Sequence, residues 1–448
     1  MKRLQTSLPA YRVPMDWLVI FCLALFVRIL YNLTVAQGYV PQYDAGAHQS
    51  LATHLLDEHC FCLIPHIPTS GRAPLWPMLM AGIYALLGTE NFYARLFLCF
   101  VGSGTCLLVY LFATHLFGRR IAIVTGVLAA LYPGLYIYDG WLYSESLYTF
   151  LLLAFSYTLY LFQHTSKRAA TRAPTQPYYL SPGQGATLAP TILSGIALGL
   201  LSLTRPNGFF MLGLLLIWAV IIGRAKILPW RMVAKSACII TLITLGIIAP
   251  WTIRNYTLTH TFIPVATGSG LVLVGAYNDT VLTSIDDRGM WVPPGLVHPP
   301  IVYPHHDCCS VEGEVYSYAY AANWIHSHLS AMPYLLGMHF VNMWKPSTPE
   351  GDLPVNQFPD RPASKVVWTM MQLTPIPIFL LAAFGLFVTW KRWPQFLIIY
   401  LVILLTIVEC LVFYGSSRFR APIEPMLVLL VAGAIGWMSR FIAPLRDP

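Results

Sequence analysis

Three groups of side chains in this sequence have types and spacings that could do chemistry. The first lies in Tyr43-Asp44-Ala45-Gly46-Ala47-His48, a few residues after a long apolar run. Asp44, His48, Ala52 and Leu55 recur at helical spacing and fall on one face. A carboxylate there can cap a helix start, or it can act as a general base toward a hydroxyl at the mouth of a bundle. The second group is Trp141-Leu142-Tyr143-Ser144-Glu145-Ser146, with Asp139 just upstream. Glu145 opens a further apolar run. There it either complements the helix dipole, with Ser144 as cap, or faces a partner or a water-filled cavity. The third group is arginines at the ends of apolar runs: Arg205, Arg254, Arg418 and Arg420. The planar guanidinium fork binds oxyanions bidentately, so four of them suit a phosphate at the level of lipid headgroups. Snorkelling to those headgroups is the other role open to each.

The elements that must position these residues follow from composition. Of 448 residues, 56% are hydrophobic and 10% charged. A soluble chain carries about 25% charged residues, so a water-soluble enzyme is excluded. The 14% aromatic content likewise excludes a disordered chain. Apolar runs occur at Trp17–Ala36, Phe92–Phe117, Ile121–Tyr138, Glu145–Gln163, Pro190–Thr204, Gly208–Gly223, Ser236–Trp251, Val366–Trp390, Pro394–Tyr414 and Ala421–Met438. Most can cross roughly 30 Å of hydrocarbon, although Pro190–Thr204 needs help from its flanks. The expected fold is an all-α integral membrane protein of about ten transmembrane helices. The first run lacks a small-residue cleavage site, so a removable signal peptide is not expected.

Leu75–Leu87 is too short to span and is expected to lie at the interface. With it non-spanning, 16 of the 27 basic residues fall on one side, which the positive-inside rule makes cytoplasmic together with both termini. The outer side then carries the segments Gln37–Asn91 and Thr252–Lys365, with short juxtamembrane helices, most acids and 11 of the 13 histidines. Three units follow: 1–251 with the first outer loop 37–91, 252–365 as an outer-face segment, and 366–448 with the Arg418/Arg420 motif.

The net charge of +8 resides largely in short loops, which argues against a nucleic-acid partner. No GxxxxGK[ST] loop, no GxGxxG turn and no internal repeat is present. Cys60 and Cys62 in one outer segment and Cys308 and Cys309 in the other favour a disulfide between the segments over a zinc site, since neither spacing is a standard metal motif. Arg28, midway in the first run, is either paired inside the bundle or snorkelling.

Read in order, Asp44, Arg72-Ala-Pro-Leu-Trp-Pro, Tyr143-Ser-Glu145-Ser-Leu, Leu203-Thr-Arg205-Pro, Pro250-Trp-Thr-Ile-Arg254-Asn and Arg418-Phe-Arg420-Ala-Pro-Ile-Glu-Pro resemble the C-type membrane glycosyltransferases. Within these, the branch is that of protein O-mannosyltransferases and lipid A aminoarabinose transferases. The resemblance implies an inverting transfer of a sugar from a polyprenyl-phosphate carrier to an acceptor hydroxyl of an envelope lipid, glycan or protein, outside the cell membrane. It implies Asp44 as general base, Glu145 as a second catalytic acid residue, and Arg418, Arg420, Arg205 and Arg254 as holders of the donor phosphate. Many relatives have Asp-Glu where this chain has Asp44-Ala45, and Tyr where it has His48, which leaves His48 to orient Asp44 or the phosphate. Some relatives bind a divalent metal ion; no ligand set for one stands out here. A lipid or sugar transporter is the rival expectation. It calls for internal repeats and midplane charges, for which only Arg28 and Glu409 qualify. A scaffold of an envelope complex is the third.

Overall fold

The computed structural model describes residues 15–172, 183–297, 300, 301, 303, 309–346, 358, 359 and 361–442. The first half holds α1 (Asp16–Thr34), α2 (Tyr43–Asp57), a hairpin of β1 (Cys62–Ile64) and β2 (Ile67–Pro68), α3 (Leu75–Leu87), α4 (Asn91–Phe117), α5 (Arg119–Leu131), α6 (Pro133–Tyr136), α7 (Glu145–Arg172) and α8 (Gly183–Thr204). Then come α9 (Phe210–Arg224), α10 (Trp230–Thr259), α11 (Ser269–Ala276), α12 (Asp279–Thr283), α13 (Val311–Ser327) and α14 (Met332–Trp344). The chain closes with α15 (Pro362–Leu373), α16 (Pro375–Thr389), α17 (Trp393–Val412), α18 (Ser417–Arg420) and α19 (Glu424–Ile442).

Among the described residues, eight helical segments are long and apolar enough to cross a membrane, or nine if a bent pair counts as one span. That pair is the expected run Ile121–Tyr138, bent partway. Pro133 has no amide hydrogen to donate, and the chain turns by 68° between Arg119–Leu131 and Pro133–Gly140. Pro362–Val412 is a single segment of 51 residues, more than twice what one crossing needs. Its start is tied to the end of the bundle that carries Asp44, through Arg361 Nη1 to Gln37 Oε1 at 2.6 Å. Its finish is tied to the same end, through Tyr277 Oη to Val412 O at 2.7 Å. Midway, Arg392 donates to Leu116 O at 2.7 Å, at the far end of the 27-residue α4. The segment therefore goes out and comes back, which explains why ten apolar runs condense into fewer separate helices. The marginal run Pro190–Thr204 gains its length from its N-terminal flank, because α8 starts at Gly183 and carries Pro190 inside.

α3 is a 13-residue apolar helix that starts after Pro74 and ends at Gly88, whose φ of +95° stops it. It is too short to span. Gln49 Nε2 on α2 and Tyr84 Oη on α3 both donate to Asn91 Oδ1 at the start of α4, at 2.9 and 3.1 Å, so α2 and α3 sit on the mouth of the bundle. The stretch Glu314–Trp344 forms α13 and α14, which share a core of Val274, Tyr277, Trp324 and Leu335 with α11 and α12.

The disulfide expected between the two segments is not formed, because Cys60 and Cys62 are both free thiols. Cys62 is buried in the hairpin, with its Sγ 3.8 Å from Glu58 Oε2. Cys308 lies outside the described residues, as do His305 and His306, the histidines beside it that a zinc site would have used. Among the described residues, no three His, Cys, Asp or Glu side chains converge as metal ligands would.

Candidate active site

α2 begins with Tyr43 at φ +50°, a left-handed conformation that is uncommon for a residue with a Cβ and tends to be kept where a functional geometry requires it. The next residue, Asp44, does not cap the helix; Gln42 occupies that position and makes no side-chain cap bond. Instead the Asp44 carboxylate reaches across the mouth of the bundle. Oδ1 accepts from Arg72 Nη2 and Oδ2 from Arg418 Nη2, each at 3.1 Å. Arg418 also donates through Nε to Glu145 Oε1. Arg205 Nη1 donates to that same oxygen at 2.9 Å. Segments 374 residues apart thus meet through one guanidinium.

Arg418 is held in place by its own surroundings. At Gly415 a Cβ would come within 2.7 Å of His339 Cα, so only glycine lets this turn lie against α14. Ser416 Oγ accepts from Arg418 N at 3.1 Å and caps the short α18. The guanidinium lies over the ring of Tyr143, 4.3 Å from its centroid, and Tyr143 stacks on Trp141 at 3.7 Å. Cation–π contact of this kind fixes orientation and leaves the N–H groups free to bond in the ring plane. The loop bearing Trp141 and Tyr143 is pinned at Leu142 O, which accepts from Trp76 Nε1 at 2.9 Å and from His48 Nδ1 at 3.1 Å.

The electrostatics follow from these contacts. Burial raises the Asp44 carboxyl, but Arg72 and Arg418 beside it outweigh that and hold it well below the usual carboxylate range. Its side chain remains 36% exposed, whereas that of Glu145 is fully buried. Burial pushes His48 down to about 4, so its ring is neutral at physiological pH. A carbonyl can only accept, so Nδ1 carries the proton and Nε2 presents a lone pair. Among the groups in direct contact, three guanidiniums (Arg72, Arg205, Arg418) face two carboxylates (Asp44, Glu145), an excess of one positive charge.

The structure brings together Asp44, Glu145, Arg205 and Arg418 from the residues expected to act, with His48 one helical turn from Asp44. It leaves two arginines out. Arg254 donates to Thr69 O at 2.6 Å and to Phe61 O at 3.4 Å, and lies over Trp251 at 4.7 Å. It fastens the chain on either side of the β1–β2 hairpin to α10. Arg420 is buried; it bonds Glu424 Oε1 at 2.6 Å, Met343 O at 2.5 Å and Lys345 O at 2.8 Å, and lies over Phe379. These bonds consume its fork, so it ties α14 to α19. Arg28 is paired inside the bundle, with Nε 2.7 Å from Asp139 Oδ2 and both side chains fully buried. Arg72 was not singled out as a site residue from the sequence, although its motif was. What could have found it is its place two residues before Pro74, the N-cap of α3, at the same mouth of the bundle as α2.

The residues around Asp44 do not fit a resident divalent cation. Each carboxylate is already neutralised by guanidiniums, and a metal ion there would stand against three positive charges.

No protein-family model matches this chain, and no curated protein matches it. Solved structures do. The apo oligosaccharyltransferase of Archaeoglobus fulgidus is 14% identical over 97% of this chain and 52% of its own, with a TM-score of 0.58. The A. fulgidus oligosaccharyltransferase AglB in complex with an inhibitory peptide and a dolichol-phosphate is 12% identical over 97% of this chain and 52% of its own, with a TM-score of 0.56. The fold is that of the C-type membrane glycosyltransferases. This chain spans about half the length of those A. fulgidus proteins. ArnT from Cupriavidus metallidurans bound to undecaprenyl phosphate is 15% identical over 95% of this chain and 79% of its own, with a TM-score of 0.44. With the C-type fold and its apolar helices, the chain is a multi-pass membrane protein.

Proposed function

We propose that this protein is a glycosyltransferase that moves a sugar from a polyprenyl-phosphate carrier to an acceptor hydroxyl, with inversion, on the outer face of the cell membrane. The observation that carries this reading is the arginine cluster around Asp44 and Glu145, with its excess of one positive charge. A sugar phosphodiester on a lipid carries one negative charge, and it places that charge at the headgroup level where the helices end. Dolichol-phosphate bound to the A. fulgidus protein of the same fold supports the kind of donor.

The residues assemble the reaction as follows. Arg418 and Arg205 hold the donor phosphate. Asp44 takes the proton of the acceptor hydroxyl. The hydroxyl oxygen attacks the anomeric carbon, the bond from that carbon to the phosphate oxygen breaks, and its electron pair leaves with polyprenyl phosphate. The guanidiniums stabilise the charge growing on that leaving group. Glu145 keeps Arg418 and Arg205 aimed, and His48 holds α2 against the Leu142 carbonyl so that Asp44 faces them.

Before the donor arrives, Asp44 is caged by Arg72 and Arg418 and is a poor base. The phosphate competes for Arg418, loosens that cage and raises the basicity of Asp44, so the donor binds first.

The test is release of free polyprenyl phosphate from polyprenyl-phosphate sugars by the purified protein with envelope acceptors. Release by wild type and its loss in Asp44→Asn is the expected result. Equal release by both proteins overturns the assignment of the base.

A further inference from the structure

Slightly deeper in the bundle than Glu145, polar side chains lack partners. Glu145 uses only Oε1; its Oε2 is buried with no hydrogen bond. Tyr148 lies three residues along α7, about 4.5 Å of helix rise. It is 1% exposed and its hydroxyl has no partner. On α17, Glu409 Oε2 accepts from Asn207 Nδ2 at 3.1 Å, while its Oε1 is buried and unpartnered. Arg205 joins the two sides. Its guanidinium stands 5.8 Å from the Tyr148 ring centroid, and it lies two residues before Asn207. Glu409 is within electrostatic range of both Tyr148 and Arg205.

Unmade hydrogen bonds at buried groups are expensive, and native proteins keep few of them. These lie beside the reacting centre, yet the transfer derived above uses none of them. Their chemistry narrows the ligand. Two carboxylate oxygens can only accept when ionised, and the phenol can both donate and accept. An anion would find no hydrogen-bond donor in either carboxylate oxygen, and a hydrocarbon chain would leave every group unpaired. A ring bearing several hydroxyls satisfies all three, giving protons to the carboxylates and accepting from the phenol. A phosphate on Arg205 and Arg418 has its sugar ring one oxygen away.

We infer that Glu145 Oε2, Tyr148 and Glu409 form a subsite that reads the hydroxyls of the donor's sugar and thereby selects which sugar is transferred. This rests on the donor reading above. It is tested by binding measurements on the full-length protein in lipid nanodiscs, comparing wild type, Glu409→Gln and Tyr148→Phe. The ligands are bare polyprenyl phosphate and the same lipid carrying mannose, glucose or galactose. Both substitutions keep side-chain shape, and binding of the bare lipid reports that the protein is folded. The expected result is a loss of about tenfold or more in affinity for the preferred sugar-bearing lipid in each variant, with bare-lipid affinity unchanged. Unchanged affinity for every sugar-bearing lipid overturns the subsite, as does an equal loss for bare and sugar-bearing lipids. If wild type binds none of the lipids, the donor reading itself falls, and the subsite with it.

Discussion

At the scale of single residues, one guanidinium does two tasks. Arg418 bonds Asp44 with one nitrogen and Glu145 with another, which a lysine ammonium cannot reproduce with fixed geometry. Arg418→Lys is therefore expected to lose transfer nearly as fully as Arg418→Ala, read as polyprenyl phosphate released per minute. Asp44→Asn should lower kcat on the order of 10²- to 10⁴-fold while leaving donor binding in place. The pH behaviour follows from the caged carboxylate. In the free protein Asp44 stays ionised to well below pH 4, so kcat/KM for the donor should show no inflection from it between pH 5 and 8. Once donor binding loosens the cage, the acid limb of kcat should lie at higher pH. His48 contributes a stability term of its own. It is neutral when folded and protonates near 6.5 when unfolded, so the unfolded chain binds more protons between about 4 and 6.5. Stability should be complete above that window and fall as pH drops through it, by about 3 kcal/mol at most, and His48→Asn should flatten the slope of Tm against pH.

At the scale of elements, the helices were legible from apolar runs, and their ends were not. Ile121–Tyr138 reads as one span because hydrophobicity does not register the missing amide of Pro133, and the 68° turn there swings Asp139 inward onto Arg28. The same limit governed the arginines. Position at the end of an apolar run is common to Arg205, Arg254, Arg418 and Arg420, but only packing decides which forks remain available. Arg254 spends its fork on backbone carbonyls, and Arg420 divides its own between Glu424, four residues on, and the carbonyls of Met343 and Lys345, which no side-chain pattern advertises. Arg254→Ala is accordingly expected to loosen the β1–β2 hairpin, seen as faster proteolysis or a lower Tm, with donor affinity little changed. Gly102 is the element-level counterpart. A Cβ there would come within 2.6 Å of Arg28 Nε, so Gly102→Ala should part the buried pair and cost about 3–5 kcal/mol, measured by thermal unfolding in detergent.

At the scale of the whole molecule, composition fixed the solvent and the fold class, while the count of crossings needed the contacts of Arg361, Arg392 and Val412. If the basic loops are cytoplasmic, then in a background whose nine native cysteines are replaced by alanine, Glu90→Cys, beside the Asp44 end, should react with a membrane-impermeant maleimide in intact cells, and Arg224→Cys should not. The bridge made by Arg418 has a further consequence for how the protein is born. Its partner Asp44 is made 374 residues earlier, so the growing chain inserts helix after helix while its reacting centre is still incomplete. On the proposed reading, half-made protein cannot spend lipid-linked sugar, and transfer begins only when Arg418 reaches back to Asp44.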